Sequence, residues 1–123
     1  MRHSISQQRV LLFSGSSNGN VTLSQSAANF SALEIHLKTN DGESNSVTVY
    51  APNGKYATIF HIKPRSSNTV YIKARNVYIS GTSIKTNNTL NTVTGTYLVQ
   101  MGSTNNEYIS ENTLYITQVI GIR

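Results

Sequence analysis

Side chains that could carry out acid–base chemistry are few in this chain. Its 123 residues include five aspartates and glutamates in total, and two pairs lie close in sequence, Asp41 with Glu43 and Glu107 with Glu111. A glycosidase holds two carboxyl groups about 5 Å apart, or about 6.5–9.5 Å apart, beside the bond it cleaves. Both pairs lie in or beside predicted turns, where solvated surface charge is the simpler interpretation.

The sequence also offers little evidence for a nucleophilic active site or a metal site. His36 or His61 could join Asp41 and a serine, but serine is so abundant here that the match carries no information. Segment 15–19 joins two predicted strands without a following helix, whereas a nucleophile elbow leads from a strand into a helix. Cysteine is absent, which removes thiol nucleophiles, thiolate metal sites and disulfides. We therefore predict no catalytic residues, no metal site and no cofactor, in a protein that is not an enzyme.

Tyrosine is the distinctive aromatic residue, since the chain has seven tyrosines, three phenylalanines and no tryptophan. Its ring offers stacking area and its hydroxyl a hydrogen bond, which suits protein interfaces and sugar rings alike. Tyr97 and Tyr108 flank a polar loop that contains Asn105 and Asn106, and these four residues form the predicted saccharide-binding site. The tyrosines inside predicted strands are expected to pack at the edge of the core: Tyr50, Tyr71, Tyr78 and Tyr115.

Two-residue alternation of apolar and polar side chains runs through the chain, and no segment of ten or more residues has the 3.6-residue apolar stripe of a helix. Short strands at regular spacing, separated by turn residues, are typical of a sandwich or a barrel. Residues 24–30 interrupt the alternation and are the one helical candidate. The predicted strands are 8–13, 20–23, Ala32–Thr39, 46–51, 58–63, 69–74, 77–80, Tyr97–Met101 and Leu114–Ile122.

The alternation also predicts which face of each strand is buried. In Ala32–Thr39, the odd-numbered Leu33, Ile35 and Leu37 share one face and the polar residues share the other. The same division assigns Val47 and Val49, and likewise Val70, Ile72 and Ala74, to buried faces. Asn53-Gly54 after Pro52 is a strong turn signal, and it predicts an antiparallel hairpin between residues 47–50 and 56–59.

Composition fits one domain spanning residues 1–123, with residues 1–7 as a flexible N-terminal segment. Hydrophobic residues make up 37% and charged residues 12% of the chain, so a thin core and a large neutral polar surface are expected. The predicted fold is all-β, an antiparallel, jelly-roll-like β-sandwich of about eight to nine short strands.

No apolar run approaches the ~20 residues of a membrane span, so we predict no membrane insertion.

The chain is basic, with a formal net charge of +5, which raises the question of nucleic acid. The basic residues are scattered, apart from Lys63, Arg65, Lys73 and Arg75 on a predicted hairpin. We interpret these four as a solvated strand edge, which protects against aggregation, and predict no nucleic-acid partner. Teichoic acid and other anionic polymers of a cell surface remain candidate partners by the same electrostatics.

Five stretches together resemble a β-sandwich module found at the C-termini of tail fibre, baseplate and minor tail proteins of phages and prophages of Gram-positive bacteria. They are spread over most of the length of the chain, from residue 11 to residue 121. The matching stretches are Leu11-Leu-Phe-Ser-Gly15, Val21-Thr-Leu-Ser-Gln-Ser-Ala-Ala-Asn-Phe30, Leu33-Glu-Ile-His-Leu37, Val47-Thr-Val-Tyr-Ala-Pro-Asn-Gly54 and Tyr115-Ile-Thr-Gln-Val-Ile-Gly121.

The resemblance implies a homotrimeric attachment domain that is made in the bacterial host cytoplasm and carried in the tail or baseplate of the virion. Its expected partners are host cell-surface polysaccharide or teichoic acid and other virion tail proteins. No functional residue is carried over, because the matching motifs are structural. The alternative is a purely structural virion subunit, in the tail, the baseplate or a capsid decoration, with no ligand of its own.

Overall fold

The computed structural model describes residues 8–67, 69–86, 97–101 and 114–123. Segment 1–7, which was predicted to be flexible, lies outside these ranges. Asn105, Asn106 and Tyr108 of the predicted saccharide site also lie outside them. No helix in the described part of the chain is long and apolar enough to cross a membrane.

The described residues form nine strands and one short 3-10 turn, and three strands have the predicted bounds. In chain order the elements are β1 (Arg9–Ser17), β2 (Val21–Thr22), the 3-10 turn (Ala27–Asn29), β3 (Ala32–Thr39), β4 (Ser44–Tyr50), β5 (Lys55–Ser66), β6 (Thr69–Ser80), β7 (Ser83–Thr86), β8 (Tyr97–Met101) and β9 (Leu114–Ile122).

The strands form two sheets, and every pairing is antiparallel. The first sheet has the order β1-β9-β3-β4, and the second has the order β2-β7-β6-β5, with β8 paired to β6 beside β7. One apolar core lies between the sheets, with contributions from both. The chain therefore has the predicted all-β fold, an antiparallel β-sandwich.

The core confirms the prediction of which face of β3 is buried. Leu33, Ile35 and Leu37 are at most 1% exposed, and from the second sheet Ile59 and Ile79 are fully buried. Val47 and Val49 of β4 pack against the same core, as the alternation predicted. Strand β9 lies between β1 and β3 in the first sheet, and its apolar alternation is explained by this central position.

The 3-10 turn confirms the one helical candidate. Ser26 caps it, since its Oγ accepts a hydrogen bond from the Ala28 amide at 3.1 Å. Ala27 is fully buried, and its amide donates to the Gly81 carbonyl at 2.7 Å. The turn therefore joins the connection after β2 to the β6–β7 turn and closes part of the core.

The predicted hairpin across Pro52-Asn53-Gly54 is wrong. Strand β4 pairs with β3, and β5 pairs with β6, so this turn carries the chain from the first sheet to the second. Gly54 adopts a φ of +81°, and its amide donates to the Ile79 carbonyl at 2.7 Å. The turn-forming residues predict correctly that the chain reverses here, but they do not show to which sheet the next strand belongs.

The predicted buried face of the second sheet is also wrong for Val70, Ile72 and Ala74, which are half-buried and lie outside the core. The two predicted strands 69–74 and 77–80 are one strand, β6, and its pairing with β5 is continuous from Val70 to Ile79. Because Val77 and Ile79 are buried, two-residue alternation places all odd-numbered residues of β6 inward.

Candidate functional site

The inner face of the β5–β6 hairpin changes from apolar to polar along its length. Near the core it carries Ile59, Val77 and Ile79, all fully buried. Further along, the register sets His61 opposite Lys73 and Lys63 opposite Tyr71. Residues directly opposite each other in antiparallel strands share a face, so these four side chains continue the inward face beyond the core.

A cavity of about 240 Å³ lies at this polar end of the sandwich. We call it the end cavity. Residues from four elements line it, namely β3, the β3–β4 turn, β5 and β6: Thr39, Asp41, His61, Lys63, Tyr71 and Lys73.

The β3–β4 turn is held in a defined shape by Thr39, which is 2% exposed. The Thr39 amide donates to the Glu43 carbonyl at 2.8 Å, and the Gly42 amide donates to the Thr39 carbonyl at 3.1 Å. Gly42 has a φ of +88°, a backbone conformation that favours glycine. The Thr39 hydroxyl also donates to Asp41 Oδ1, which fixes the carboxylate at the cavity wall.

Polar contacts hold this turn against the hairpin. Lys63 Nζ lies 3.0 Å from Asp41 Oδ2 and 3.4 Å from Glu43 Oε2. His61 Nε2 lies 3.5 Å from Glu43 Oε1, and Lys73 Nζ donates to the side-chain carbonyl of Asn40 at 3.0 Å. The end cavity thus combines one aromatic ring with hydroxyl, carboxylate, imidazole and ammonium groups.

The charge state of the wall follows from these contacts. The hydrogen bond from Thr39, and after it the hydrogen bond from Lys63, hold the pKa of Asp41 well below its usual range. Hydrogen bonds to Asp41 and then to Glu43 raise the pKa of Lys63. Both groups are therefore charged at neutral pH, and the cavity wall presents a carboxylate acceptor beside an ammonium donor.

The lowered pKa of Asp41 predicts a dependence of stability on pH. An aspartate with a lower pKa in the folded chain than the ~3.9 of the unfolded chain stabilises the fold above about pH 4, and this contribution is lost as the pH falls further. The melting temperature of the wild type should therefore fall more steeply below pH 4 than that of Asp41→Asn, and the two should converge at low pH. Circular dichroism melts from neutral to acidic pH measure this. Parallel curves for the two proteins would contradict it.

Arg75 lies two positions along β6 from Lys73 on the inward face, and it is only 3% exposed. This burial shows that the interpretation of the basic hairpin as a solvated edge is wrong for Arg75. Nη1 of the Arg75 guanidinium donates to the Asn18 carbonyl, and burial lowers the pKa of Arg75 to about 10. The guanidinium is still protonated at neutral pH, so a buried positive charge lies behind the lysines of the end cavity.

The other candidate groups are engaged in local contacts. His36 Nε2 and Glu34 Oε1 are 2.7 Å apart, and Arg9 contacts the same carboxylate at 2.7 Å. In the described ranges, no group of three or more histidines and carboxylates could hold a metal ion.

Ser17 has Gly-x-Ser-x-Gly spacing, but its hydroxyl donates to the Asn20 carbonyl at 2.9 Å and accepts from the Gly19 amide at 3.2 Å. Strand β2, not a helix, follows it.

The predicted saccharide site is described in part. Tyr97 begins β8, where the register sets it opposite Ala74 of β6. The segment with Asn105, Asn106 and Tyr108 connects β8 to β9. Its described ends lie opposite residues of the cavity region: Met101 opposite Val70, beside Tyr71, and Leu114 opposite Thr39. The described ends of this segment therefore lie beside the end cavity in the backbone.

Sequence reasoning missed most residues of the end cavity. Tyr71 was assigned to core-edge packing, and it lines the cavity instead. Tyr50 was assigned there too, and it is 72% exposed, because it shares the outer face of β4 with Ser46 and Thr48. The sequence signal for the β5 residues of the cavity was that His61 and Lys63 continue the two-residue period of Ile59 and so share its face. The approach of the β3–β4 turn is a tertiary contact with no local signal.

Comparison of the chain with protein-family models gives no match, and comparison with curated proteins gives none either.

Proposed function

We propose that this chain is a receptor-binding or host cell-wall attachment module of a phage tail or baseplate, and that it binds a surface saccharide in the end cavity. In this proposal it acts in the virion as a homotrimer, together with other tail proteins. The phage assignment rests on the resemblance of its sequence stretches to tail modules. The assignment of a ligand rests on the end cavity.

The observation that carries the proposal is the set of groups that lines the end cavity. A sugar ring presents C–H groups on its faces, which pack on an aromatic ring such as that of Tyr71. Its hydroxyls both donate and accept hydrogen bonds, and Asp41 supplies an acceptor while Lys63 and Lys73 supply donors. The volume of about 240 Å³ is below the ~300–1,000 Å³ of sites for drug-sized ligands, which suits one unit of a longer polymer.

The lysines and the buried Arg75 extend the range of ligands to anionic wall polymers. Teichoic acid joins sugar or polyol units through phosphates, and a phosphate beside a sugar would meet Lys73 while the sugar meets Tyr71. One such site is weak, because few groups contact each unit. Three linked sites on a homotrimer would raise the avidity by about 10²–10⁴.

Binding of purified host cell-wall polysaccharide to the immobilised protein tests the proposal. Asp41→Asn removes a charged hydrogen-bond acceptor, which is worth about 1.5–3 kcal/mol, or roughly ten- to hundredfold in affinity. Tyr71→Ala should weaken binding as well, since it removes the stacking surface. Tyr97→Ala and Tyr108→Ala test the sequence-predicted part of the site in the same assay.

Tyr50→Ala is the matched control, because Tyr50 is exposed at the end of β4 away from the cavity turn. It should bind as the wild type does. If the wild type binds no wall polymer, or if Tyr71→Ala and Asp41→Asn bind like Tyr50→Ala, the saccharide proposal fails. The structural role in the virion would then be the better account.

A further inference from the structure

The two sheets of the sandwich present very different outer faces. On the first sheet, Glu34 and His36 of β3 form a polar network with Arg9 of β1. On the second sheet, the outward positions of β5 and β6 carry no charged residue among the side chains that the structure describes. We call this set the outer apolar face: Tyr56, Thr58, Phe60, Ile62, Pro64, Val70, Ile72, Ala74, Asn76 and Tyr78.

The outer apolar face consists of directly opposed pairs. The register sets Ile62 opposite Ile72 and Phe60 opposite Ala74. Tyr56 stands opposite Tyr78, with ring centroids 4.7 Å apart. Ile62 is 52% exposed and Tyr56 is 59% exposed, so the pairs leave large apolar groups in water.

Two polar side chains on this face are hydrogen-bonded to each other. Thr58 Oγ1 donates to Asn76 Oδ1 at 2.7 Å. Burial of a hydrogen-bonded pair avoids the cost of desolvating an unpaired polar group. The Thr58–Asn76 pair can therefore be buried against a second apolar surface while it keeps its own hydrogen bond.

We propose that the outer apolar face is the surface through which copies of this chain associate. An antiparallel sheet of a monomer normally has one polar face, and contiguous apolar patches of more than a few hundred Å² mark interaction sites. The chain carries a net charge of +5, so copies repel each other wherever charged surfaces meet. This uncharged face brings copies together without placing like charges opposite each other.

The size of the face fits an interaction patch. Its residues occupy nine positions on each of two strands, 56–64 of β5 and 70–78 of β6, which makes the face about 30 Å long at about 3.3 Å per residue. Two strands spaced about 4.8 Å apart give it a width of about 10 Å, or roughly 300 Å² in projection. Protruding side chains add accessible area to this, which places the face among the patches of a few hundred Å² that mark interaction sites.

Contact through the face is favoured over pairing along the edge of β5. Although β5 is the edge strand of its sheet, Asn45 Nδ2 donates to its Phe60 carbonyl at 2.9 Å. Pro64 has no amide hydrogen to offer. The copies therefore associate through the outer apolar face and not by extending the second sheet from its β5 edge.

Light scattering coupled to size-exclusion chromatography tests this inference, which rests on the proposed homotrimer and not on saccharide binding. The wild type should have three times the 13.5 kDa chain mass. Ile62→Lys and Phe60→Lys should shift to the monomer mass, or weaken association at least tenfold. Leu11→Lys is the matched control, since Leu11 is 54% exposed on the first sheet, and it should keep the wild-type mass.

Ile62→Thr keeps a β-branched side chain without adding charge, and it should also weaken association. Circular dichroism checks that each variant is folded. A wild type that stays monomeric at every concentration refutes self-association and leaves the saccharide site untouched. An oligomer that survives Ile62→Lys and Ile62→Thr in folded protein refutes this surface as the interface, even where the homotrimer itself stands.

Discussion

Replacement of Ile35 or of Ile79 by alanine is expected to lower the free energy of unfolding by about 2–5 kcal/mol in each case. Both side chains are fully buried, one in each sheet of the sandwich. Truncation removes apolar contacts and leaves a cavity that the neighbouring strands refill only in part. The loss is a large fraction of the ~5–15 kcal/mol that stabilises a typical domain.

Because both residues belong to one core between the sheets, each variant should lower the midpoint of the same single unfolding transition. Chemical denaturation at one fixed protein concentration measures this, since association shifts the apparent stability. Leu11→Ala is the control, because Leu11 is exposed, and it should change stability by no more than about 0.5 kcal/mol. Two separate transitions, each sensitive to only one substitution, would show that the sheets do not share a core.

Gly121→Ala is the second substitution with a large expected effect, a loss of about 1–3 kcal/mol from overpacking. A Cβ atom at Gly121 would lie 2.6–2.7 Å from ring atoms of Phe30, which is 6% exposed. The backbone cannot shift easily, because β9 is paired on both sides, with Val10 and Leu33 opposite Gly121. The Arg123 guanidinium carbon also lies 4.9 Å from the centroid of the same ring.

Gly19→Ala is the matched control, since a Cβ atom there meets nothing within 4 Å, and it should be close to neutral. A double-mutant cycle with Phe30→Ala isolates the clash. Phe30→Ala alone should cost about 3–5 kcal/mol, and Gly121→Ala added to it should cost almost nothing. Strictly additive losses would mean that the ring of Phe30 is not what excludes a side chain at Gly121.

Strands β3 and β9 could be predicted to the residue because buried apolar residues run from one end of each strand to the other. The local apolar pattern and the tertiary packing therefore agree on where each strand begins and ends. Strand β7 was missed because Ile84 is its one apolar residue. Its place in the second sheet comes from pairing with β6 and β2, which no four-residue pattern reveals.

Strand β6 shows where alternation gives the wrong face. Val70, Ile72 and Ala74 form a clear apolar series, but Val77 and Ile79 form another in the opposite phase, and an unbroken strand can bury only one of them. The structure buries the second series. It turns the first outward, and this reversal creates the outer apolar face.

The end cavity was predictable only in part for a similar reason. The polar series His61 and Lys63 continues the inward phase of Ile59, which could be seen in the sequence. Nothing local shows that Asp41 and Thr39 lie across from them, because that contact joins the two sheets. Long side chains such as Lys63 can line the end of a sandwich, with the stem against apolar groups and the charge toward water.

The two proposals assign separate tasks to separate surfaces. The end cavity faces a ligand at one end of the sandwich, and the outer apolar face meets other copies along one side. Association through the side leaves the end accessible, which is the arrangement that multivalent binding needs. Loss of association should therefore weaken attachment to a surface more than it weakens binding of a single short saccharide.

The most direct test of the central claim is a nuclear magnetic resonance titration with fragments of host cell-wall polysaccharide. Binding in the end cavity predicts that the amide signals of Thr39, Asp41, His61, Tyr71 and Lys73 shift together and saturate, while those of exposed β4 residues such as Thr48 stay in place. Signals that do not move, or that move only on a surface away from the end cavity, would contradict the claim.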